Sequence, residues 1–562
     1  MASADGMTLT DRVRDLLTDA LCAAQADGSL PDVEVDEVTV ERPQNPEHGD
    51  FATSTPMKLA RVMRRNPFDI AEAVASSTET GGILASVEAV RPGFVNLRLN
   101  PTWLAEQVDA IRQAGDSFGS VDDGNGTRVQ VEFVSVNPTG PIHVGHGRGA
   151  VFGSSLASVL EAAGYDVQRE YYINDAGNQM DKFNQSVYAR YVQASGGEAE
   201  VPEDGYSGDY LVDLAADLRE EFGDKYIGMD EYDAVSEIGE IGMNRMIDAI
   251  REDMERLEVR YDEWFSEQSL YDSDQFGTAM AMLNEKDLTV WRDGAVWFAT
   301  TKLGDEKDKV LIRGTGAPTY FASDVAYHYN KFLVRGFDRV INIWGADHQG
   351  QVPFMQALAD VLGVSRESLV LLIYQLVTLK SGGEAVRFSK RAGQIVTLRE
   401  LVEEVGADAC RFFFLQRAPD SQMEFDIELA KEQSDKNPVY YIQYAHARIA
   451  SILRLADERG IDFSDGDVSL LTHEAELSLV RTMLRLPELI SMMARNLEPH
   501  HLTYYSMDLA TEFHNFYQQC RVVSSDPDDA EITKARLKLA DATKGVLARC
   551  LSLMGMTAPE AM

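Results

Sequence analysis

The sequence predicts a multidomain α/β protein. An open parallel sheet carries an acidic helical insertion, a small α/β domain precedes it, and an all-helical domain follows. Three observations support this. A buried-strand pattern over 129–136 runs into the turn Asn137-Pro-Thr-Gly-Pro and then a helical stretch, and apolar strands return at Val340–Trp344 and Leu369–Tyr374. Strand, glycine-rich turn and helix in that order begin a Rossmann-type sheet. Residues from about 181 to 290 are acidic and read mainly as helix, and from about 430 onward the apolar period is helical almost throughout.

The elements follow in order. Leu9, Val13, Leu16, Leu17 and Leu21 recur at helical spacing, which predicts an opening amphipathic helix over 8–25. The stretch Asn45-Pro-Glu-His-Gly-Asp50 reads as a loop before a helix through Met57-Lys-Leu-Ala-Arg61. After Arg91-Pro-Gly93, the alternation Phe94-Val-Asn96-Leu-Arg-Leu99 reads as a strand. Residues 115–126 are rich in Gly and Asp and read as a linker. Domains are therefore expected at 1–115, 116–400 (with the insertion at about 181–290) and 401–562. A chain of 562 residues is too long for one ordinary core.

Composition excludes several classes. Cys22, Cys410, Cys520 and Cys550 are scattered, so neither a disulfide framework nor a zinc site is expected, and a reducing cytoplasm is. No apolar run reaches the roughly 20 residues that cross a membrane, and no secretory signal is visible. The 91 acidic against 52 basic residues give a net charge of −39, spread along the whole chain. An excess of this kind repels itself unless salt screens it, which points to a salt-rich cytoplasm of the halophile type. It also argues on average against a nucleic-acid partner, although a binding surface is local.

His143 and His146 stand three apart at the start of the helix that follows the turn, so their rings share one side. A helix N-terminus offers unpaired N–H groups and positive dipole, and Gly145, Gly147 and Gly149 leave room for a ligand at the backbone. That suits the phosphates of ATP, with imidazoles stabilising charge at an attacked phosphorus. Spacing alone is weak, because composition produces such a pair roughly 0.2 times per chain of this make-up. The preceding strand and the glycine-rich turn give it weight. Downstream, Arg387-Phe-Ser389-Lys390-Arg391 forms a basic run able to neutralise a leaving pyrophosphate. Tyr320 and Asp324, four apart on a helix face, and Glu132 and Asn137, flanking the turn, could form a polar fork. A fork of carboxylates suits a planar guanidinium.

The tract Val131–Ala150 resembles the HIGH signature of class I aminoacyl-tRNA synthetases in its arginyl form, and Arg387–Arg391 resembles their KMSKS loop, with arginine at its first and last positions. Similar segments run through Tyr206–Tyr210, Trp264–Tyr271, Asp293–Arg313 and Leu537–Met562. The resemblance implies arginine ligation to tRNA(Arg) through an adenylate, with ATP and Mg²⁺, by a monomer without an editing site. It further implies that tRNA must be bound before arginine is activated. It assigns catalysis to His143, His146, Ser389 and Lys390, and ATP contacts to Gly145, Gly147, Gly149, Arg387, Asp347 and His348. Glu132 and Asn137 would hold the α-amino end of arginine, Tyr320 and Asp324 its guanidinium, and Gln351 would lie beside them. Phe94 and Asn96 would meet the tRNA elbow. Tyr440, Gln443, Tyr444 and Arg448, after the Asn437-Pro turn, would meet the anticodon from a helical DALR-type domain. A different class I synthetase would share both signatures but need no acid fork. A small nucleotidyltransferase would leave the helical C-terminal region without a purpose, and a non-catalytic RNA-binding relative would have no need of the histidines or Lys390.

Overall fold

The computed structural model describes residues 7–382, 384–385 and 396–562. Arg387, Ser389 and Lys390 thus lie outside the described residues. Its centre is a five-stranded parallel sheet in the order Leu369–Tyr374, Arg339–Gly345, Arg128–Phe133, Asp166–Ile173, Glu263–Ser266. The middle strand is buried along nearly its whole length, which is why it reads as a continuous apolar run. Gln130 and Glu132 are the polar exceptions, and register sets Glu132 level with Asn342 on one side and Glu170 on the other. Register neighbours share a face, so three polar side chains line one row across the sheet.

The middle strand ends sooner than its pattern suggests. Val134 (φ 71°) and Ser135 (φ 45°) adopt left-handed backbone, which is costly for a β-branched residue. Their neighbours hold the bend: Tyr171 donates to the Val136 carbonyl at 3.0 Å, and the Tyr172 N–H donates to Ser135 Oγ at 3.1 Å. The turn leads into the helix Val144–Ala162, which is buried on almost every side. A helix so enclosed needs small residues at its contacts. A Cβ on Gly147 would stand 2.8 Å from Leu398 and Phe414, and one on Gly149 would stand 2.8 Å from the Tyr374 ring. The expectation that these two glycines admit a ligand is therefore corrected. Protein side chains fill that space.

The helical insertion comprises Asn178–Ala194, Asp209–Phe222 and Glu231–Arg256, which share a core of their own around Phe183, Leu211 and Ile238. It closes earlier than the composition implies, because Glu263–Ser266 already belongs to the central sheet. A small antiparallel sheet, Thr289–Arg292, Ala295–Phe298 and Lys309–Ile312, comes next. The N-terminal region packs the helix Pro67–Ser77 on a three-stranded sheet, with Leu9–Ala26 against that helix, and five helices from Pro438–Glu458 to Ala530–Leu553 form the C-terminal bundle. Residues 115–126 do not act as a loose linker. Phe118 and Val121 are buried, and Gly119 packs on Leu486. Ion pairs such as Arg42–Glu488 (2.9 Å), Arg112–Asp541 (2.7 Å) and Arg481–Asp50 (2.9 Å) dock the N-terminal region onto the bundle. No helix among the described residues is long and apolar enough to cross a membrane.

Candidate active site

His143 caps the helix Val144–Ala162. Its Nδ1 accepts the Gly145 N–H at 2.9 Å, which leaves the ring proton on Nε2. His146 sits one turn further in, its ring centroid 6.4 Å from that of His143. Burial, with His143 adding to it, takes the His146 imidazole down to about 4. Near neutral pH it is therefore an uncharged hydrogen-bonding group rather than a cation. Asp347 and His348, from the turn Ala346–Gln351 after the strand Arg339–Gly345, lie close enough to act on it electrostatically. Gln351 ends that turn. Thr397, shortly after the run that holds Lys390, pairs with His143, and Leu398 donates its N–H to the Ile142 carbonyl at 2.9 Å. Backbone pairing thus joins the start of this helix to residues 396–398.

Beside this lies an acidic recess. Tyr320 and Asp324 share one face of the helix Tyr320–Tyr329, as their spacing predicts. Tyr320 opens that helix and is exposed, while Asp324 is recessed. Among the described residues no hydrogen bond or ion pair holds the Asp324 carboxyl, and burial together with Glu132 and Glu267 pushes it up to about 7. Glu267 is likewise raised by burial, although it accepts the Ser323 hydroxyl at 2.5 Å. Tyr172 lies among all three acids. Sequence reasoning missed Glu267, although it stands inside the Trp264–Tyr271 tract already singled out.

Glu132 is engaged more deeply than expected. Lys331, fully buried in a π-turn at Asn330–Val334, donates to Glu132 Oε2 at 2.6 Å and to Asn342 Oδ1 at 3.0 Å. Asn342 Nδ2 donates in turn to His328 Nε2 at 2.8 Å, so the proton on His328 Nδ1 points to the Asp324 carbonyl, also at 2.8 Å. A single oriented chain thus links Glu132 to the backbone of Asp324. Glu170, in the same row, is held by Arg335 and Tyr327. Burial raises its carboxyl, but the Arg335 bonds prevail and it ends below the usual range. Asn137 sits on the turn, where its Oδ1 accepts from Asn174 at 2.7 Å and its Nδ2 donates to Gln179.

The expected RNA-facing residues fall into two groups. Phe94 and Asn96 are half-buried on one face of their strand, alternating with buried Val95 and Leu97. Tyr440 and Tyr444 stack with centroids 6.0 Å apart, and Arg448 lies over Tyr444 at 5.0 Å and over Tyr517 at 4.7 Å. Gln443 does not join this ladder. It is buried, donating to Asp408 at 2.7 Å and to the Thr557 carbonyl at 3.0 Å, where it anchors the C-terminal turn. At about 100° round the helix from Tyr444, it turns toward the C-terminal segment instead, which adjacency in sequence does not disclose.

Comparison with known proteins agrees with this geometry. Residues 9–99 match the arginyl tRNA synthetase N terminal domain, 108–424 the class I (R) tRNA synthetase catalytic domain, and 442–562 the DALR anticodon binding domain. The chain is 54% identical over 556 residues to the arginine–tRNA ligase of Dehalococcoides mccartyi, covering 99% of each chain. It is 47% identical over 558 residues to that of Syntrophotalea carbinolica, covering 99% of this chain and all of the other. The Thermus thermophilus arginyl-tRNA synthetase structure superposes with a TM-score of 0.75 at 23% identity, covering 99% of this chain and 100% of that one, a likeness of fold. With signatures, acidic recess and full-length identity in agreement, the chain belongs to the class I arginyl-tRNA synthetases.

Proposed function

We propose that this protein ligates L-arginine to tRNA(Arg) in two steps. The arginine carboxylate attacks the α-phosphorus of ATP to give arginyl-adenylate and release pyrophosphate. The arginyl group then passes to the 3′-terminal ribose of the tRNA. The observation that carries the amino-acid choice is the pair Asp324 and Glu267, two acids held above their usual range beside the nucleotide turn. A recess of this kind is relieved by a planar, permanently charged cation that meets carboxylates two bonds at a time. Tyr320 would cover the guanidinium, Glu132 and Asn137 would receive the α-amino end, and Gln351 would border them.

Neutral His146 with His143 would donate to phosphate oxygens at the helix N-terminus, where Gly145 leaves room for the nucleotide. Asp347 and His348 would border the nucleotide. Arg387, Ser389 and Lys390 would meet the leaving pyrophosphate, and Mg²⁺ would accompany ATP. We assign Tyr440, Tyr444 and Arg448 to splayed anticodon bases, which aromatic and guanidinium planes bind by stacking. Phe94 and Asn96 would meet the tRNA elbow. Gln443 supports the C-terminal turn. Domains at 1–115, 116–400 and 401–562 would serve elbow contact, catalysis and anticodon binding, in a cytoplasmic monomer.

The test is exchange of labelled pyrophosphate into ATP with each amino acid, with and without tRNA. Arginine should support exchange above all others, and His146→Ala should lower kcat by about 100-fold. Exchange with another amino acid and none with arginine would overturn the assignment.

A further inference from the structure

The helical insertion reaches the nucleotide turn through a tyrosine that no step above employs. Tyr210, the second residue of the helix Asp209–Phe222, donates its hydroxyl proton to the Thr139 carbonyl. Its ring is seated between two glycines. A Cβ on Gly140 would stand 3.1 Å from Tyr210 Cζ, and one on Gly208 would stand 2.5 Å from Cε1. A Cβ at Gly208 would force the ring to shift, and one at Gly140 would press it aside by a few tenths of an ångström. The approach to Tyr210 is itself braced on the helix Asn178–Ala194, where the Tyr206 N–H donates to Ser186 Oγ at 3.0 Å and Arg190 to the Ser207 carbonyl at 3.2 Å. From the same helix, Gln179 accepts from Asn137.

The insertion has its own core and meets residues 137–140 through these bonds. Those residues stand between the strand that presents Glu132 and the cap residue His143. Their approach contains the left-handed Val134 and Ser135, a bend that needs outside contacts to persist. A shift of the turn by about 1 Å would cost on the order of 100-fold in rate, because reacting groups must meet in a narrow geometry.

We propose that Tyr210 is a positioning residue for adenylate formation: by fixing the insertion to the Thr139–Gly140 backbone, it holds Asn137 and His143 in register for the reacting carboxylate and α-phosphate. This rests on the arginine- and ATP-dependent reading above. Two substitutions separate the hydrogen bond from the seat. Tyr210→Phe keeps the ring and loses the donor, whereas Gly140→Ala keeps the hydroxyl and displaces the ring.

In arginine-dependent pyrophosphate exchange, each should lower kcat about tenfold or more. Arginine KM should change by less than kcat, because only the Asn137 end of the arginine site moves while the Asp324 and Glu267 end is untouched, and the melting midpoint should not move. A Tyr210→Phe kcat within about twofold of the unaltered protein would overturn the proposal. So would a rate loss that follows a falling melting midpoint, which marks a purely structural role. Absence of arginine-dependent exchange in the unaltered protein would instead refute the functional reading itself, so the two failures are distinguishable.

Discussion

The raised Asp324 carboxyl makes arginine binding pH-dependent in a calculable way. In the ligand-free protein the group titrates near 7, whereas a guanidinium stays charged throughout. If only the carboxylate receives the guanidinium, the apparent dissociation constant scales as one plus the protonated-to-ionised ratio. That factor is about 1.1 at pH 8, about 2 at pH 7 and about 11 at pH 6, so affinity falls roughly tenfold, or ~1.4 kcal/mol, from pH 8 to pH 6. His146, near 4, does not titrate in this window. Calorimetry in buffers of differing ionisation enthalpy should find about 0.8 proton released per arginine bound at pH 6.5.

Asp324→Asn should flatten this profile and weaken arginine binding by about 1.5–3 kcal/mol, the worth of a charge-assisted bond. It should also raise the melting temperature. The folded pKa lies above the unfolded 3.8, so the folded state resists ionisation. The resulting cost to stability is absent below about pH 4, grows as pH rises and is complete above about pH 7, with an upper bound of about 4 kcal/mol. Arginine affinity that is constant between pH 6 and 8, or a pH slope that survives Asp324→Asn, would refute the reasoning.

Other predictions concern the frame and the surface. Lys331→Met removes the cation buried against Glu132 and leaves acids in the sheet interior, so thermal melting should report a loss of about 3–5 kcal/mol; an unchanged melt would contradict the network. Gly555→Ala should destabilise by about 1–3 kcal/mol, because Gly555 has φ +68° and a Cβ there would lie 2.4 Å from Arg411 Cζ. The same guanidinium bonds the Leu257 carbonyl at 2.9 Å and Ser154 at 3.0 Å, so domain contacts should loosen under limited proteolysis. With a net charge of −39, the melting temperature should rise as potassium chloride goes from about 0.1 to 1 M, where the screening length falls from about 10 to 3 Å. A falling melting temperature would count against salt adaptation.

Much of this molecule is legible in its sequence where the signal is local. The strand, the Asn137–Pro141 turn and the capped helix declare themselves because burial, turn chemistry and glycine follow one another without a gap. Tyr320 and Asp324 declare themselves through helical spacing. The rest depends on pairing across the sheet. Lys331 meets Glu132 across 199 residues, and only the register of Glu132 with Asn342 and Glu170 brings the network together. Glu267 reaches the recess from the end of an edge strand that reads by composition as part of the insertion. Gly147 and Gly149 show the converse limit. A glycine signals close approach, but not whether a ligand or a Tyr374 ring makes it.

The role proposed for the recess around Asp324 is to select arginine for attachment to tRNA. Aminoacylation of total tRNA in potassium chloride at molar concentration, with each amino acid supplied singly, tests it most directly. Charging is expected with arginine alone, and is lost in Asp324→Asn at limiting arginine. Charging with a different amino acid, or arginine charging indifferent to Asp324→Asn, would contradict it.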